Sequence, residues 1–249
     1  MSFAGKTALV AGAGGGMGLN IANDLIEAGA NVVLADAKPQ PEGIAAGPGQ
    51  HCYRQSDLTD EAAVKEAVGA AVGDFGRLDY LVNTTGVLWL ERDVSILDID
   101  WLVWDRVFEV NLKSHALTAR HAVPEMRKAG GGAMVHFSSI DALSGDPKPQ
   151  DAYGVSKAGV IRLSKAIAVQ FAKDRIRSNV ILPGPVLSPM QERWQGKPDI
   201  QAKVAEHVPL GRLGTTQDQS DACLFLLSDK ASFITGTELI VDGGVTATP

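Results

Sequence analysis

Apolar runs of strand length alternate with longer segments of helical period along the whole chain. Thr7-Ala8-Leu9-Val10-Ala11 opens the series, and a helical pattern over Gly16–Glu27 follows it. The same alternation predicts further strands at Asn31–Asp36, 51–57, 78–83, 133–139, 178–182 and 238–242. Helices are expected over about 59–76, 98–128, 152–174 and 217–228, with a weaker one near 200–207. Thr59, ahead of Asp60 and Glu61, reads as a helix cap with an acidic first turn. The long 98–128 segment contains Pro124 and is expected to bend or break near it.

Strand and helix taking turns in this way is the rhythm of a parallel sheet with helices on both faces. The predicted fold is α/β: a doubly wound, Rossmann-like parallel sheet of about seven strands. No repeat, low-complexity segment or linker divides the 249 residues, so residues 1–249 are expected to form one domain. A small substrate loop and helix region would lie near 185–208.

Composition narrows the partners. Hydrophobic residues make up 45% and charged residues 21%, values that exclude disorder. The net charge of -6 offers no basic footprint for nucleic acid or an anionic membrane. No apolar run reaches the length of a membrane span, and the start of the chain lacks a signal-peptide core. Cys52 and Cys223 fit no zinc or redox spacing and read as buried free thiols. A cytoplasmic location is the expectation.

Chemistry gathers in two places. Gly12-Ala13-Gly14-Gly15-Gly16-Met17-Gly18 lies between the first strand and the first helix. There glycine lets the backbone approach a pyrophosphate whose charge sits at the helix N-terminus. Asp36 ends the second strand, near the interval expected for an acid that holds ribose hydroxyls. It would repel a 2′-phosphate, and no arginine stands beside it, although Lys38 is near. NAD is therefore expected over NADP. The second place is Tyr153-Gly154-Val155-Ser156-Lys157, where a phenol and an ammonium share a helix face. An ammonium beside a phenol favours the phenolate and would lower its pKa, making Tyr153 a candidate proton carrier.

Taken together, the glycines at 12, 16 and 18 and Tyr153-x-x-Ser156-Lys157 resemble the short-chain dehydrogenase/reductase family over almost the whole chain. The resemblance implies a catalytic set of Asn111, Ser139, Tyr153 and Lys157, with Ser138 as the neighbouring alternative to Ser139. Tyr153 would exchange the substrate proton, and Lys157 would lower its pKa and bond the ribose. Ser139 would bond the substrate oxygen, and Asn111 would hold a relay water. It also implies that Asp57 and Leu58 contact the adenine. Asn83 and Gly86, in Asn83-Thr84-Thr85-Gly86, would border the cofactor. Pro183 and Gly184 would open the family's cofactor-binding Pro-Gly loop, in which the backbone near Val186 and the Ser188 hydroxyl would hold the nicotinamide carboxamide. Two departures stand out: Ala11 replaces a threonine, and Thr84 and Thr85 replace Asn and Ala, so the local bonding is expected to be rebuilt around their hydroxyls.

The implied reaction is hydride transfer between NAD and a small secondary alcohol or ketone, and the implied assembly is a homotetramer. Substrate contacts are expected from Trp89, Leu143, Met190 and Trp194, besides Ser139, with Asp141, Gln191 and Arg193 as polar candidates. This predicts a moderately apolar substrate. A 3-oxoacyl-carrier-protein reductase using NADPH shares nearly every motif, and a catalytically silent nucleotide-sensing or scaffold protein would share the fold. Other chemistries fit less well. Ser156 lies inside a helix rather than at a strand-to-helix elbow. Gly5-Lys6-Thr7 lacks the upstream glycine of a P-loop. His115 and His121 face different sides of a helix, so no metal is expected.

Overall fold

The computed structural model describes residues 1–145 and 147–248, with the side chains at 192 and 193 outside the described set. Seven strands form one parallel sheet: β1 (Thr7–Ala11), β2 (Asn31–Asp36), β3 (His51–Gln55), β4 (Tyr80–Asn83), β5 (Gly132–Phe137), β6 (Ile176–Pro183) and β7 (Glu238–Val241). Their order is β3-β2-β1-β4-β5-β6-β7. The chain moves outward from β1 to β3, then returns to the other side of β1 for β4. A crevice opens where such an order reverses, at the C-terminal ends of β1 and β4.

Both faces of the sheet are covered, which is why its central strands read as continuous apolar runs. Successive side chains point to opposite faces. Ala8, Val10, Val32 and Leu34 join one core with Ile21 and Leu25 of α1 (Gly16–Glu27) and Leu226 of α7 (Thr216–Leu227). Leu9, Ala11, Val33 and Ala35 join the other, with Val64 of α2 (Glu61–Phe75), Leu117 of α4 (Ser114–Ala129) and Ile167 of α5 (Asp151–Gln170).

Several boundaries differ from the sequence expectation, each for a local reason. β3 ends at Gln55, before Asp57. Asp60, not Thr59, caps α2, because the Asp57 carboxylate already accepts the Thr59 N–H at 2.9 Å and its hydroxyl at 2.8 Å. The long helical segment begins at Trp101, as α3 (Trp101–Phe108), and passes through a π turn at Glu109–Lys113 into α4. Its irregularity is at that turn, and α4 continues through Pro124. Pro124 and Arg120, whose carbonyl loses its helical partner, are both exposed, so water can satisfy that carbonyl. α6 (Pro198–Ala205) forms in the predicted region near 200. Among the described residues, no helix is long and apolar enough to cross a membrane.

Candidate active site

A cleft of about 820 Å³ lies at the reversal point, within the size range of small-molecule sites. The glycine turn forms its floor. Gly12 adopts φ +88°, and a Cβ there would stand 2.7 Å from the Thr84 hydroxyl. A Cβ on Gly18 would stand 2.2 Å from the Gly12 carbonyl, so only glycine permits this approach of helix to turn. The Thr84 hydroxyl lies 3.1 Å from the Ala11 carbonyl and 3.0 Å from the Gly12 carbonyl, supplying the tie that Ala11 cannot make. α1 has Gly15 at its N-cap, with no side-chain cap bond and no acid in its first turn. Its first N–H groups therefore open on the cleft, a donor set that fits a phosphate.

Asp36 lines the same cleft and accepts the Gly14 N–H at 2.9 Å and the Lys38 N–H at 2.9 Å. Asp57 lines it too, held below the usual carboxylate range by the Thr59 N–H first, despite partial burial, with the Thr59 hydroxyl and Arg106 assisting. Of the other residues assigned from the sequence, Gly16, Met17, Leu58, Gly86, Trp89, Ser188 and Met190 border the cleft. Asn83 does not. Its side chain turns into a buried polar layer, bonded to the Thr118 hydroxyl at 3.0 Å and facing His136 Nδ1 at 3.1 Å. His136 in turn stacks on His115, whose Nε2 lies 3.0 Å from the Thr85 carbonyl.

Pro183 ends β6, and Gly184 passes so close to Asp242 that a Cβ would meet its Cβ at 2.6 Å. Val186 is buried and pairs with Gly214. Leu143 is 45% exposed and Trp194 is buried; neither borders the cleft. The Arg193 side chain lies outside the described residues, as does Asp146 of the 140–151 loop.

α5 brings Tyr153 and Lys157 together: they are 6% and 3% exposed, and Lys157 Nζ lies 5.7 Å from the ring centroid. Ser139 follows the end of β5, where its hydroxyl accepts the Asp141 N–H at 3.2 Å and lies near enough to the Tyr153 phenol to favour its ionised form. Ser138 is turned away, its hydroxyl donating to the Lys157 carbonyl at 2.7 Å. This separates the two neighbouring serines by geometry. Asn111, buried in the π turn, accepts the Val87 N–H at 2.7 Å and donates to the Val87 carbonyl at 3.1 Å and the Ser156 hydroxyl at 3.2 Å.

The electrostatics depart from the expectation of a lowered phenol. Burial, and then the Asp141 charge, push Tyr153 well above its ordinary value, and the Ser139 hydroxyl only partly opposes them. The Lys157 ammonium stands over the ring face and donates to the Phe137 carbonyl at 3.0 Å, instead of meeting the phenol oxygen. Burial also brings Lys157 down from 10.5 to about 8.

Two neighbours escaped the sequence reading. Arg92 stacks over Trp89 at 4.8 Å on the cleft wall. The buried Asp93 carboxylate accepts the N–H groups of Ala152 at 3.0 Å and Tyr153 at 2.8 Å. An isolated acid in a loop gives no sequence signal for such a contact across 60 positions.

Known proteins resemble this chain over nearly its whole length. A family model described as enoyl-(acyl carrier protein) reductase matches residues 12–246. Cis-4-hydroxycyclohexanecarboxylate dehydrogenase from Sinomonas cyclohexanicum is 37% identical, over 99% of this chain and 98% of its own. Cyclopentanol dehydrogenase from a Comamonas species is 37% identical, over 97% of each chain. The structure of a short-chain type dehydrogenase/reductase from Mycobacterium ulcerans superposes with a TM-score of 0.92 at 32% identity, covering 99% of this chain and 92% of the other. With a family model matched over nearly all its length and such relatives end to end, the chain belongs to the short-chain dehydrogenase/reductase family, nicotinamide-dependent oxidoreductases acting on CH–OH donors.

Proposed function

We propose that this protein is an NAD-dependent dehydrogenase that interconverts a small cyclic secondary alcohol and its ketone, with Tyr153 as the proton carrier. The observation that carries the reading is the buried Tyr153 ring with the Lys157 ammonium over its face and the Ser139 hydroxyl acting on its phenol. The glycine turn and the open first turn of α1 would hold the pyrophosphate, Asp36 the adenosine ribose, and Asp57 and Leu58 the adenine side. Lys157 would bond the nicotinamide ribose, and the backbone near Val186 with Ser188 would take the carboxamide. Bound there, NAD supplies a cationic ring that accepts the hydride from the carbinol carbon.

The chain's own residues handle the proton. In reduction, the phenol gives its proton to the developing alkoxide while Ser139 donates a hydrogen bond to the same oxygen. In oxidation, the phenolate takes the hydroxyl proton as the hydride leaves carbon, and the C–O bond becomes a carbonyl. The upward shift of Tyr153 keeps it protonated, ready to donate. Forming the phenolate for oxidation therefore draws on cationic groups around the ring and on raised pH. Asn111 fixes Val87 against α5 and would position a water on the outward proton path.

Asp36 supports NAD over NADP. In Asp36→Ala, the ratio of kcat/KM with NAD to that with NADP is expected to fall by about tenfold or more, the worth of one charged hydrogen bond. Steady-state kinetics with both cofactors check it. A wild-type preference for NADPH would instead favour the carrier-protein reductase reading.

Trp89 and Arg92 favour a ring with an anionic substituent, consistent with the hydroxycyclohexanecarboxylate dehydrogenase among the relatives, while the cyclopentanol dehydrogenase supports the ring alone. Arg92 is exposed, so its ion pair is worth up to about 1 kcal/mol. Arg92→Ala should lower kcat/KM severalfold for 4-hydroxycyclohexanecarboxylate and leave cyclohexanol nearly unchanged. Equal losses on both substrates would count against an anion contact.

A further inference from the structure

Helix α5 starts without a local cap. Gln150 stands at its N-cap position and makes no side-chain cap bond. The N–H groups that a local cap would hold, those of Ala152 and Tyr153, go instead to Asp93, fully buried and about 60 positions earlier. Asp93 is itself fixed in a tight turn, its N–H donating to the Trp89 carbonyl at 2.7 Å, with the Arg92 N–H on the same carbonyl at 2.9 Å. Asp151 adds a second tie, accepting the Ile96 N–H at 2.7 Å. At its start the same loop is gripped by Asn111 through both polar groups of the Val87 backbone. Beneath it, Val87, Trp89 and Val94 pack on Ala152, Ile99 and Val103.

A serine or aspartate at 150 would have satisfied the same donors and joined nothing else. Drawing the acceptor from the cleft wall makes one carboxylate serve both as helix cap and as a fixed spacing between wall and phenol. We propose that Asp93 is a positioning residue, locking the turn that carries Trp89 and Arg92 to the backbone of Tyr153, so that substrate wall and proton carrier keep one geometry. The inference rests on Tyr153 as proton carrier. Charged hydrogen bonds to helix N–H groups are among the stronger ones, and a displacement of about 1 Å between reacting groups can cost about 10²-fold in rate.

The test separates capping from positioning. Asp93→Ala should lower both Tm and kcat/KM for cyclohexanol. Adding Gln150→Ser supplies a local cap for the same two N–H groups. In Asp93→Ala/Gln150→Ser, Tm should recover substantially, while kcat/KM stays about tenfold or more below wild type with NADH affinity unchanged. Recovery of kcat/KM in step with Tm would overturn the proposal and leave Asp93 a helix cap. Hydrogen exchange over residues 87–97 needs no turnover and so stands apart from the Tyr153 assignment. Faster exchange there in the milder Asp93→Asn is expected, and unchanged exchange would also overturn the proposal.

Discussion

Replacing Tyr153 with Phe is expected to lower kcat/KM for a cyclic alcohol by about 10²-fold to 10⁴-fold, the range that a positioned proton carrier contributes. NADH affinity should stay close to wild type, because the substitution removes one oxygen and keeps the ring that packs in the site. Stability should change little. The ring is 6% exposed, so Phe preserves its burial. Fluorescence titration with NADH and steady-state kinetics read the two effects separately. Near-normal turnover with intact binding would remove Tyr153 from the mechanism.

Lys157→Met should abolish measurable turnover, and it carries a stability signature with a definite sign. The folded value of about 8 lies below the ordinary 10.5. Below pH 8, folded and unfolded chains both hold the proton, and the fold bears the full cost of a buried ammonium. Between the two values the unfolded chain alone binds the proton, so wild-type stability gains as pH rises through that window. The gain is about 3 kcal/mol in total. A methionine side chain cannot titrate, so the variant has no such slope. The variant also leaves the Phe137 carbonyl without its donor, a roughly constant penalty of about 1–3 kcal/mol. The difference in unfolding free energy between the two proteins should therefore stay flat below about pH 8 and shift toward wild type from there to about pH 10.5. Denaturant titrations across that range check it, and a pH-independent difference would contradict the buried-ammonium account.

How far the chain could be read in advance depended on how local each signal was. The strands from Thr7 and Asn31 were legible because both faces of a parallel sheet are covered, which leaves unbroken apolar runs. The glycine turn was legible because Gly12 and Gly18 meet backbone from their own neighbourhood and Thr84. Pro124 misled, since the periodicity could not show that Pro124 and Arg120 both face water. The π turn around Asn111 was hidden for a related reason. One bulged turn changes the facing of a side chain without disturbing the helical pattern.

At the site, the Tyr153 and Lys157 pair was visible as a spacing, but its electrostatics were not. Two positions on one face of a helix do not reveal that the ammonium turns to the Phe137 carbonyl, or that Asp141 adds its charge beside the phenol. Asn83 reads as a cofactor neighbour by its place after β4, yet its amide points into the layer of Thr118, His115 and His136. Contacts such as those of Asp93 and Arg92 exist only once the fold has closed.

The most direct test of a Tyr153-driven, NAD-dependent alcohol dehydrogenase is the initial rate of NADH appearance from NAD and cyclohexanol, measured side by side for wild type and Tyr153→Phe. The account predicts a clear rate for wild type, rising with pH, and near-complete loss in the variant despite undiminished NADH binding. Equal rates in the two proteins, or no NADH from wild type with any cyclic alcohol tried, would contradict it.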